Sequence, residues 1–248
     1  MAPALVMSAV VGSTFVTSFI SGILGMAGGL ILMGILLALM PVPAAMMLHG
    51  VTQLGSNGWR AFLWRNHVDW RVFRGYLYGS AAMLALFAAF QFVIGKAAAL
   101  IVMGLTPFVA LALPESLHLN VERKGHSSLC GCVCSILSLT AGVSGPILDV
   151  FFVRSKMTRH AVVATKATTQ SLSHLMKIGY FGGIVSTGRG TIEPWMGAMM
   201  IVLAFAGTTL STRVLEKMND ASFRMWTRRT VLGIGVAYLA SGILMLLE

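Results

Sequence analysis

Long stretches without any charged side chain dominate this sequence of 248 residues. Residues 1–59 contain no Asp, Glu, Lys or Arg, and neither do residues 75–95, 97–114, 125–148, 194–212 and 230–247. An α-helix needs about 20 predominantly apolar residues to cross a bilayer. Charged residues make up 10% of the chain, against about 25% in a soluble domain. The sequence therefore predicts an all-α polytopic membrane protein and excludes a soluble enzyme, a disordered chain and a disulfide-stapled secreted module.

Two of the apolar segments are interrupted at glycine-rich sequences, GMAGG at residues 25–29 and GVSGP at residues 142–146. We expect each interrupted segment to form a hairpin-like unit, and each half of the chain to add three transmembrane helices to its unit. The predicted helices are residues 4–24, 30–40, 44–63, 73–93, 97–113, 129–141, 147–153, 160–182, 195–215 and 225–247.

An internal repeat underlies the order of these segments. A shift of 117 residues aligns residues 25–60 with residues 142–177 without a gap and gives seven identities in 36 positions. A Thr-Gln pair inside an apolar segment is unusual, and it occurs in both copies, at residues 52–53 and 169–170. Self-similarity at a fixed offset predicts related structural units. We assign residues 1–113 to the first repeat, 114–127 to a cytoplasmic connection and 128–248 to the second repeat, all within one transmembrane domain.

The Lys and Arg residues predict how the two halves are oriented. If the loop within residues 60–74 is cytoplasmic, 14 basic residues lie inside, Lys96 and Arg189 lie outside, and Lys166 and Lys177 fall within a span. This bias follows the positive-inside rule, and it places both termini on the periplasmic side of a cell inner membrane. The loops after the two interrupted segments then lie on opposite sides. The sequence thus predicts an inverted repeat, which is typical of secondary transporters.

Each glycine-rich break is followed by a short helix whose first N–H groups are free to bind a ligand. Gly28 and Gly29 supply the first helix end, and Ser144, Gly145 and Pro146 supply the second. A helix N-terminus carries partial positive charge and favours anions. The alternative is that the glycines only allow helices to pack closely. Because the breaks occupy matching positions in the two halves, we interpret them as parts of one binding site.

Polar side chains line one face of the helix that follows each break. Residues spaced by four lie on roughly the same helical face. The alternative interpretation is a hydrogen-bond network that only holds the bundle together. A cation inside a membrane should face the bundle interior, which favours a functional role for Lys166. The candidate substrate-binding residues of the two stripes are His49, Thr52, Gln53 and Asn57 in the first half and Lys166, Thr169, Gln170 and His174 in the second.

The combined donors of this site are two positive helix ends, one lysine, two histidines, and amide and hydroxyl groups. Such a set predicts a small anion with several oxygens as the ligand. One carboxylate within the membrane, Asp149, follows the second break by one turn. It can pair with Lys166, pair with Lys177, or carry a proton during transport. The spacing leaves these three alternatives open.

Three cysteines, Cys130, Cys132 and Cys134, are crowded into CGCVC. Cys130 and Cys134 share a helical face and could bind a soft metal, but we interpret all three as small residues that pack between helices. We expect no metal site and no cofactor. Nucleic acid is excluded as a partner because the basic residues are spread over short connections. The expected partners are a small anion and the lipid bilayer, and a homo-oligomer is compatible with the sequence.

Four segments match, in order and spacing, the pattern of a known family. They are GILGMAGGL at residues 22–30, NHVDWR at residues 66–71, AGVSGPILDVFF at residues 141–152 and ATKA at residues 164–167. With the duplicated layout, they make the chain similar to the TauE/SafE sulfite-exporter family over nearly its whole length. The resemblance implies a transporter that moves small sulfur-containing anions, such as sulfite and organosulfonates, across the inner membrane. We therefore expect alternating access and no enzymatic activity.

An apolar helical chain of this kind has two other candidate functions. An intramembrane hydrolase needs a nucleophile beside a base, but Ser171, Ser173 and His174 point to different faces of one helix. No HExxH or GxSxG motif occurs in the sequence. A metal-cation permease needs several carboxylates or facing soft ligands, whereas here one intramembrane carboxylate accompanies two lysines. Anion transport is the favoured function, and a permease for metal cations or other small ions is the alternative.

Overall fold

The computed structural model of the chain describes residues 3–24, 26–114, 117, 119–186, 194–215 and 220–247. The side chains of residues 3–7, 194, 212, 215 and 220–224 are not part of this description. Gly25 of the first break, Arg189 and Lys217, which is one of the 14 basic residues assigned to the inside, lie outside the described residues. The description covers all other residues of the two breaks and both polar stripes.

The described chain is all-helical, which confirms the all-α part of the predicted fold class. Each helix begins and ends within five residues of its predicted bounds, and no strand occurs in the described ranges. A short 3-10 helix, Arg65–His67, joins the third and fourth helices. The α-helices are α1 (Pro3–Leu24), α2 (Ala27–Leu39), α3 (Val42–Leu63), α4 (Trp70–Phe90), α5 (Lys96–Ala112), α6 (His126–Thr140), α7 (Gly145–Phe152), α8 (Arg159–Ser186), α9 (Pro194–Leu215) and α10 (Asp220–Leu247).

Two helices in the described part of the chain are long and apolar enough by themselves to cross a membrane. They are α4 and the segment Met225–Leu247 of α10. Helices α1, α2, α5, α6 and α9 contain shorter apolar segments. The mean hydropathy of α3 and α8 is lower than that of a typical membrane-spanning helix, because these two helices carry the two polar stripes. Most of these polar side chains are buried among other helices, so mean hydropathy underestimates how well the two helices suit the interior of a membrane bundle.

The centre of the bundle is the pair α3 and α8, which makes the most extensive contact between helices. Around this pair, α1 packs on α9, α4 packs on α6, and α5 packs on α10. Glycines allow several of these close approaches. For example, a Cβ atom on Gly104 of α5 would lie 2.8 Å from the carbonyl oxygen of Gly235 in α10. The four helix pairs named here each join one half of the chain to the other half.

The two breaks end their helices in different ways. In the second, Gly142 adopts a φ of +80°, a left-handed conformation that strongly favours glycine, and α7 then begins at Gly145. Pro146 follows as the second residue of α7, where its missing N–H leaves no hydrogen bond unmade. In the first, Met26 precedes α2, which begins at Ala27. Both short helices therefore start within the core of the bundle.

Candidate functional site

The two breaks lie against each other. A Cβ atom placed on Gly145, at the start of α7, would lie 3.0 Å from the Cβ atom of Met26, which precedes α2. Gly142 approaches the sulfur atoms of Met33 and Met46, which would lie 2.8 and 2.9 Å from an added Cβ atom. The N-terminal ends of α2 and α7 thus approach each other at one place. This convergence brings two partial positive charges close together.

Lys177 of α8 is the cation at this junction. Its side chain is fully buried, at 0% exposure. The Nζ atom donates to the carbonyl oxygen of Gly142 over 2.9 Å and to Nδ1 of His49 over 2.7 Å. No carboxylate of the described residues forms an ion pair with it. A buried ammonium group without a counter-ion is costly, and the two groups that bond to Nζ of Lys177 are neutral acceptors.

His49 of α3 connects Lys177 to the first break. Its Nε2 atom lies 3.0 Å from the carbonyl oxygen of Gly29 in the first turn of α2. A carbonyl oxygen can only accept, so Nε2 carries the hydrogen and donates. A continuous series of hydrogen bonds therefore runs from Gly29 through His49 and Lys177 to Gly142. These four residues, hereafter the break-junction cluster, link both halves of the chain.

Further polar groups surround the break-junction cluster. The ring of His174 lies edge-on to His49 with 5.7 Å between centroids, and its buried Nδ1 atom has no hydrogen-bond partner among the described residues. The amide of Gln53 packs against Gly29, since an added Cβ atom there would lie 3.1 Å from Nε2 of Gln53. Gly50 leaves room for the stem of Lys177, because a Cβ atom added to Gly50 would lie 3.3 Å from the Cε atom of Lys177. The cluster is thus embedded in further polar groups.

Lys166 occupies a different place from Lys177. Its Nζ atom forms an ion pair with Asp149 of α7, and the two side chains are 27% and 41% exposed. Of the alternatives left open for Asp149, the structure has the pair with Lys166. Lys177 follows Lys166 by 11 positions, which places their Cα atoms about 16 Å apart along α8. The structure therefore does not bring Lys166 into the break-junction cluster.

Several other candidate residues make local contacts. The hydroxyl groups of Thr52 and Thr169 donate to carbonyl oxygens of their own helices, at Leu48 and Lys166. Gly28 packs against the backbone of α1 at Thr17, which is the close-packing role considered as the alternative for the glycines. Asn57 and Ser144 are buried, and Gln170 is half-buried.

A cavity of about 400 Å³ adjoins the second break, between α5, α7 and α10. Met26 and Pro146 lie on its wall near the break. Most of the wall is apolar, and its polar side chains are Asp149, Thr227 and Arg228. The Oγ1 atom of Thr227 is buried without a hydrogen-bond partner among the described residues. A small molecule in this cavity would therefore touch the helix that begins at the second break.

The cysteines pack between α4 and α6. Cys130 and Cys134 are buried with 3.9 Å between their sulfur atoms, and Cys132 donates to the carbonyl oxygen of Gly79 over 3.5 Å. These contacts suit the packing interpretation. Within the described residues, no group of three or more His, Cys, Asp and Glu side chains is placed to hold a metal ion.

The sequence predicts Lys166 as the substrate-binding cation and Lys177 only as an ion-pair or coupling candidate, whereas Lys177 is the more deeply buried of the two. The sequence does contain a pattern that includes Lys177 in the site. Positions 166, 170, 174 and 177 are spaced by four, four and three residues, which places Lys177 on the same helical face as the polar stripe. Met26 gave no such signal, since methionine is common in hydrophobic cores.

A comparison with known families identifies the chain. The family model described as Sulfite exporter TauE/SafE matches residues 10–246. No curated protein and no solved structure matches the chain. The match extends over all ten helices, including both breaks, and so it covers every candidate site residue. The chain therefore belongs to the sulfite exporter TauE/SafE family of membrane transporters.

Proposed function

We propose that this protein is a secondary transporter that carries a small sulfur-containing oxyanion, such as sulfite or an organosulfonate, across the inner membrane by alternating access. The observation that carries the proposal is the buried ammonium group of Lys177. It bonds to neutral acceptors at the place where the two breaks meet. An anion bound there would neutralise the charge and accept hydrogen bonds from it.

The electrostatics of the junction favour an anion over a cation. Lys177 contributes one full positive charge, and the N-termini of α2 and α7 each contribute roughly half a charge. The carboxylate of Asp149 in α7, which begins at the second break, is already paired with Lys166. A metal cation entering the junction would meet repulsion from Lys177. The proposed binding residues are therefore Gly29, His49, Gln53, His174 and Lys177, with Ser144 and Gly145 at the second helix end.

We further propose that the two halves form an inverted repeat around a two-fold axis in the membrane plane. The helix contacts support this arrangement, because they occur in matched pairs when each helix is exchanged for its repeat counterpart. The contact of α1 with α9 then corresponds to that of α6 with α4, and α3 with α9 corresponds to α8 with α4. Helices α3 and α8 lie on the proposed axis, with Gln53 and Gln170 near its midpoint. Rocking of the halves about this pair would expose the break-junction cluster to each side in turn.

The cavity beside α7 fits the cytoplasmic access route in this scheme. Arg228 belongs to the basic residues that the positive-inside rule assigns to the cytoplasm, while Met26 and Pro146 on the same wall adjoin the breaks. The cavity would then lead from the cytoplasmic surface toward the second helix end. Met26 lines that cavity and also contacts Gly145, so we propose it as an inner gate.

Transport by the purified protein tests the proposed function. We expect vesicles that contain the protein to accumulate ³⁵S-labelled sulfite down an imposed gradient at least tenfold faster than empty vesicles. Labelled rubidium and a divalent metal cation serve as controls and should show no protein-dependent flux. Cation flux without sulfite flux would overturn the proposal in favour of the permease alternative.

The distribution of Lys and Arg predicts that both termini face the periplasm. A reporter that is active only in the cytoplasm should be silent when it is fused after residue 248. The same reporter should be active when it is inserted between Arg123 and Lys124, in the connection assigned to the cytoplasm. Strong activity of the C-terminal fusion would contradict both the orientation and the inverted repeat.

The ion pair between Lys166 and Asp149 is expected to contribute to transport, because Asp149 lines the proposed access cavity. An anion that passes this point can replace Asp149 as the partner of Lys166. Lys166→Met should therefore lower sulfite flux at least tenfold, which corresponds to about 1.4 kcal/mol. Thermal unfolding of the same preparations should show that Lys166→Met combined with Asp149→Asn destabilises the protein less than Lys166→Met alone. Normal sulfite flux in Lys166→Met would show that the ion pair between Lys166 and Asp149 has only a structural role.

A further inference from the structure

The hydrogen bonds of His49 determine which of its nitrogen atoms carries a hydrogen. Nε2 faces the carbonyl oxygen of Gly29 at 3.0 Å, which can only accept. Nδ1 faces Nζ of Lys177 at 2.7 Å. An ammonium group can only donate. His49 is therefore a neutral imidazole whose Nδ1 lone pair is occupied by Lys177.

This arrangement makes Nδ1 of His49 dependent on Lys177. If Lys177 turns toward a bound anion, Nδ1 loses its donor and becomes a buried, unpartnered acceptor. An unsatisfied buried acceptor destabilises the protein. A proton added at Nδ1 removes this destabilisation by giving His49 a second N–H donor, which can also bond to the anion.

The groups around His49 make that proton depend on the anion. On α8, the titratable groups that face His49 are Lys177 and His174. Helix α2 has no titratable side chain, and the described part of α9 has only Arg213, near its C-terminal end. A protonated His49 beside Lys177 would place two cations in contact within a buried site. An anion between them offsets this repulsion, so the proton and the anion should bind together.

We propose that Nδ1 of His49 is the proton-binding site of the transporter and that one proton crosses the membrane with each anion. This inference rests on the proposed function. In the step, Lys177 keeps its three hydrogens and exchanges its bond to Nδ1 for one to the anion, while Nδ1 takes one proton from the side to which the site is open. The proton leaves with the anion on the other side, and the bond to Lys177 forms again. A dianion then moves with a net charge of −1, so an inside-negative potential still favours its export.

The ratio of protons to anions in vesicle transport tests this proposal. The wild type or a variant is reconstituted into the membrane of vesicles that contain a trapped pH dye. Uptake of ³⁵S-sulfite and the internal pH are then recorded together. Sulfite binds a proton itself, and this contribution is the same for all variants. We expect the wild type to move one more proton per sulfite than His49→Gln, whose amide keeps one donor and one acceptor but does not titrate. His160→Gln, an exposed histidine at the start of α8, should retain the wild-type ratio.

A binding measurement on the wild type alone covers the case in which His49→Gln fails to fold. Sulfite binding is followed by titration calorimetry in two buffers of different ionisation heat, and the difference gives the protons taken up. We expect one proton beyond the number that sulfite itself contributes. Equal ratios in the wild type and His49→Gln, no extra proton uptake, or loss of the extra proton in His174→Gln but not in His49→Gln would each overturn the inference. These results would leave the proposed function intact, whereas absence of sulfite flux in the wild type would overturn the proposed function itself.

Discussion

Lys177→Met is expected to abolish sulfite transport while the protein remains folded. The substitution keeps an apolar stem of similar length and removes the buried charge that we propose as the anion partner. Loss of a buried, hydrogen-bonded charge partner costs about 2–5 kcal/mol in binding. Sulfite flux should therefore fall at least thirtyfold, measured by initial uptake into vesicles with matched protein content.

The stability of Lys177→Met separates a functional charge from a structural one. The substitution leaves Nδ1 of His49 and the carbonyl oxygen of Gly142 without a donor, which destabilises the fold. It also removes a buried charge that has no counter-ion among the described carboxylates, which stabilises the fold. Because these effects oppose each other, we expect the unfolding temperature to change little. Lys96→Met, at the start of α5, is the matched control and should transport normally. A Lys177→Met variant with wild-type flux would contradict the proposed site.

Gly79→Ala is expected to produce a large loss of stability, because it separates α4 from α6. A Cβ atom on Gly79 would lie 2.9 Å from the backbone nitrogen of Cys132 and even closer to the carbonyl oxygen of Ser128. Backbone atoms cannot move aside as a flexible side chain can, so the two helices must shift apart. Overpacking of this kind costs about 3 kcal/mol, which should lower the unfolding temperature by about 6–12 °C. Thermal unfolding of the purified protein in detergent measures the change.

Gly233→Ala is the matched control for this prediction. Gly233 also lies within a helix, but no atom lies within 4 Å of its Cβ position. Alanine is favoured over glycine in a helix by about 1 kcal/mol, so the unfolding temperature should stay the same or rise. A Gly79→Ala variant as stable as Gly233→Ala would show that α4 and α6 do not approach as closely as described.

The helices and the breaks could be predicted from the sequence because their signals are local. Apolar segments, prolines and the glycine at position 142, with its φ of +80°, each act within a few residues of where they occur. The polar stripes were also local, since spacing by four places residues on one helical face. Mean hydropathy does not identify α3 and α8 as membrane-spanning helices, because both carry a polar stripe. Neighbouring helices bury these polar side chains, and a mean over one segment contains no information about burial by another segment.

The roles of the two lysines could not be predicted because they depend on how α8 is placed between α3 and α7. Lys166 and Lys177 lie on the same stripe and have the same chemistry. Only the packing of α8 brings Lys177 to His49 and places Lys166 beside Asp149. Likewise, no local pattern indicates that Met26 of the first break contacts Gly145 of the second. Contacts between the halves therefore determine the site, and a single sequence does not specify them.

The packing of α1 against α9 has a consequence for how the chain is made. The face of α1 that meets α9 contains small and polar groups, and a Cβ atom on Gly207 would lie 2.8 Å from the carbonyl oxygen of Phe15. About 170 residues separate the end of α1 from the start of α9, and a ribosome adds about 5–20 residues per second. Helix α1 is therefore complete about 10–35 s before α9 begins to be made, and its buried Thr14 and Ser18 side chains face lipid or the insertion machinery during that interval. The packing of α1 against its main partner is thus delayed until α9 has been made.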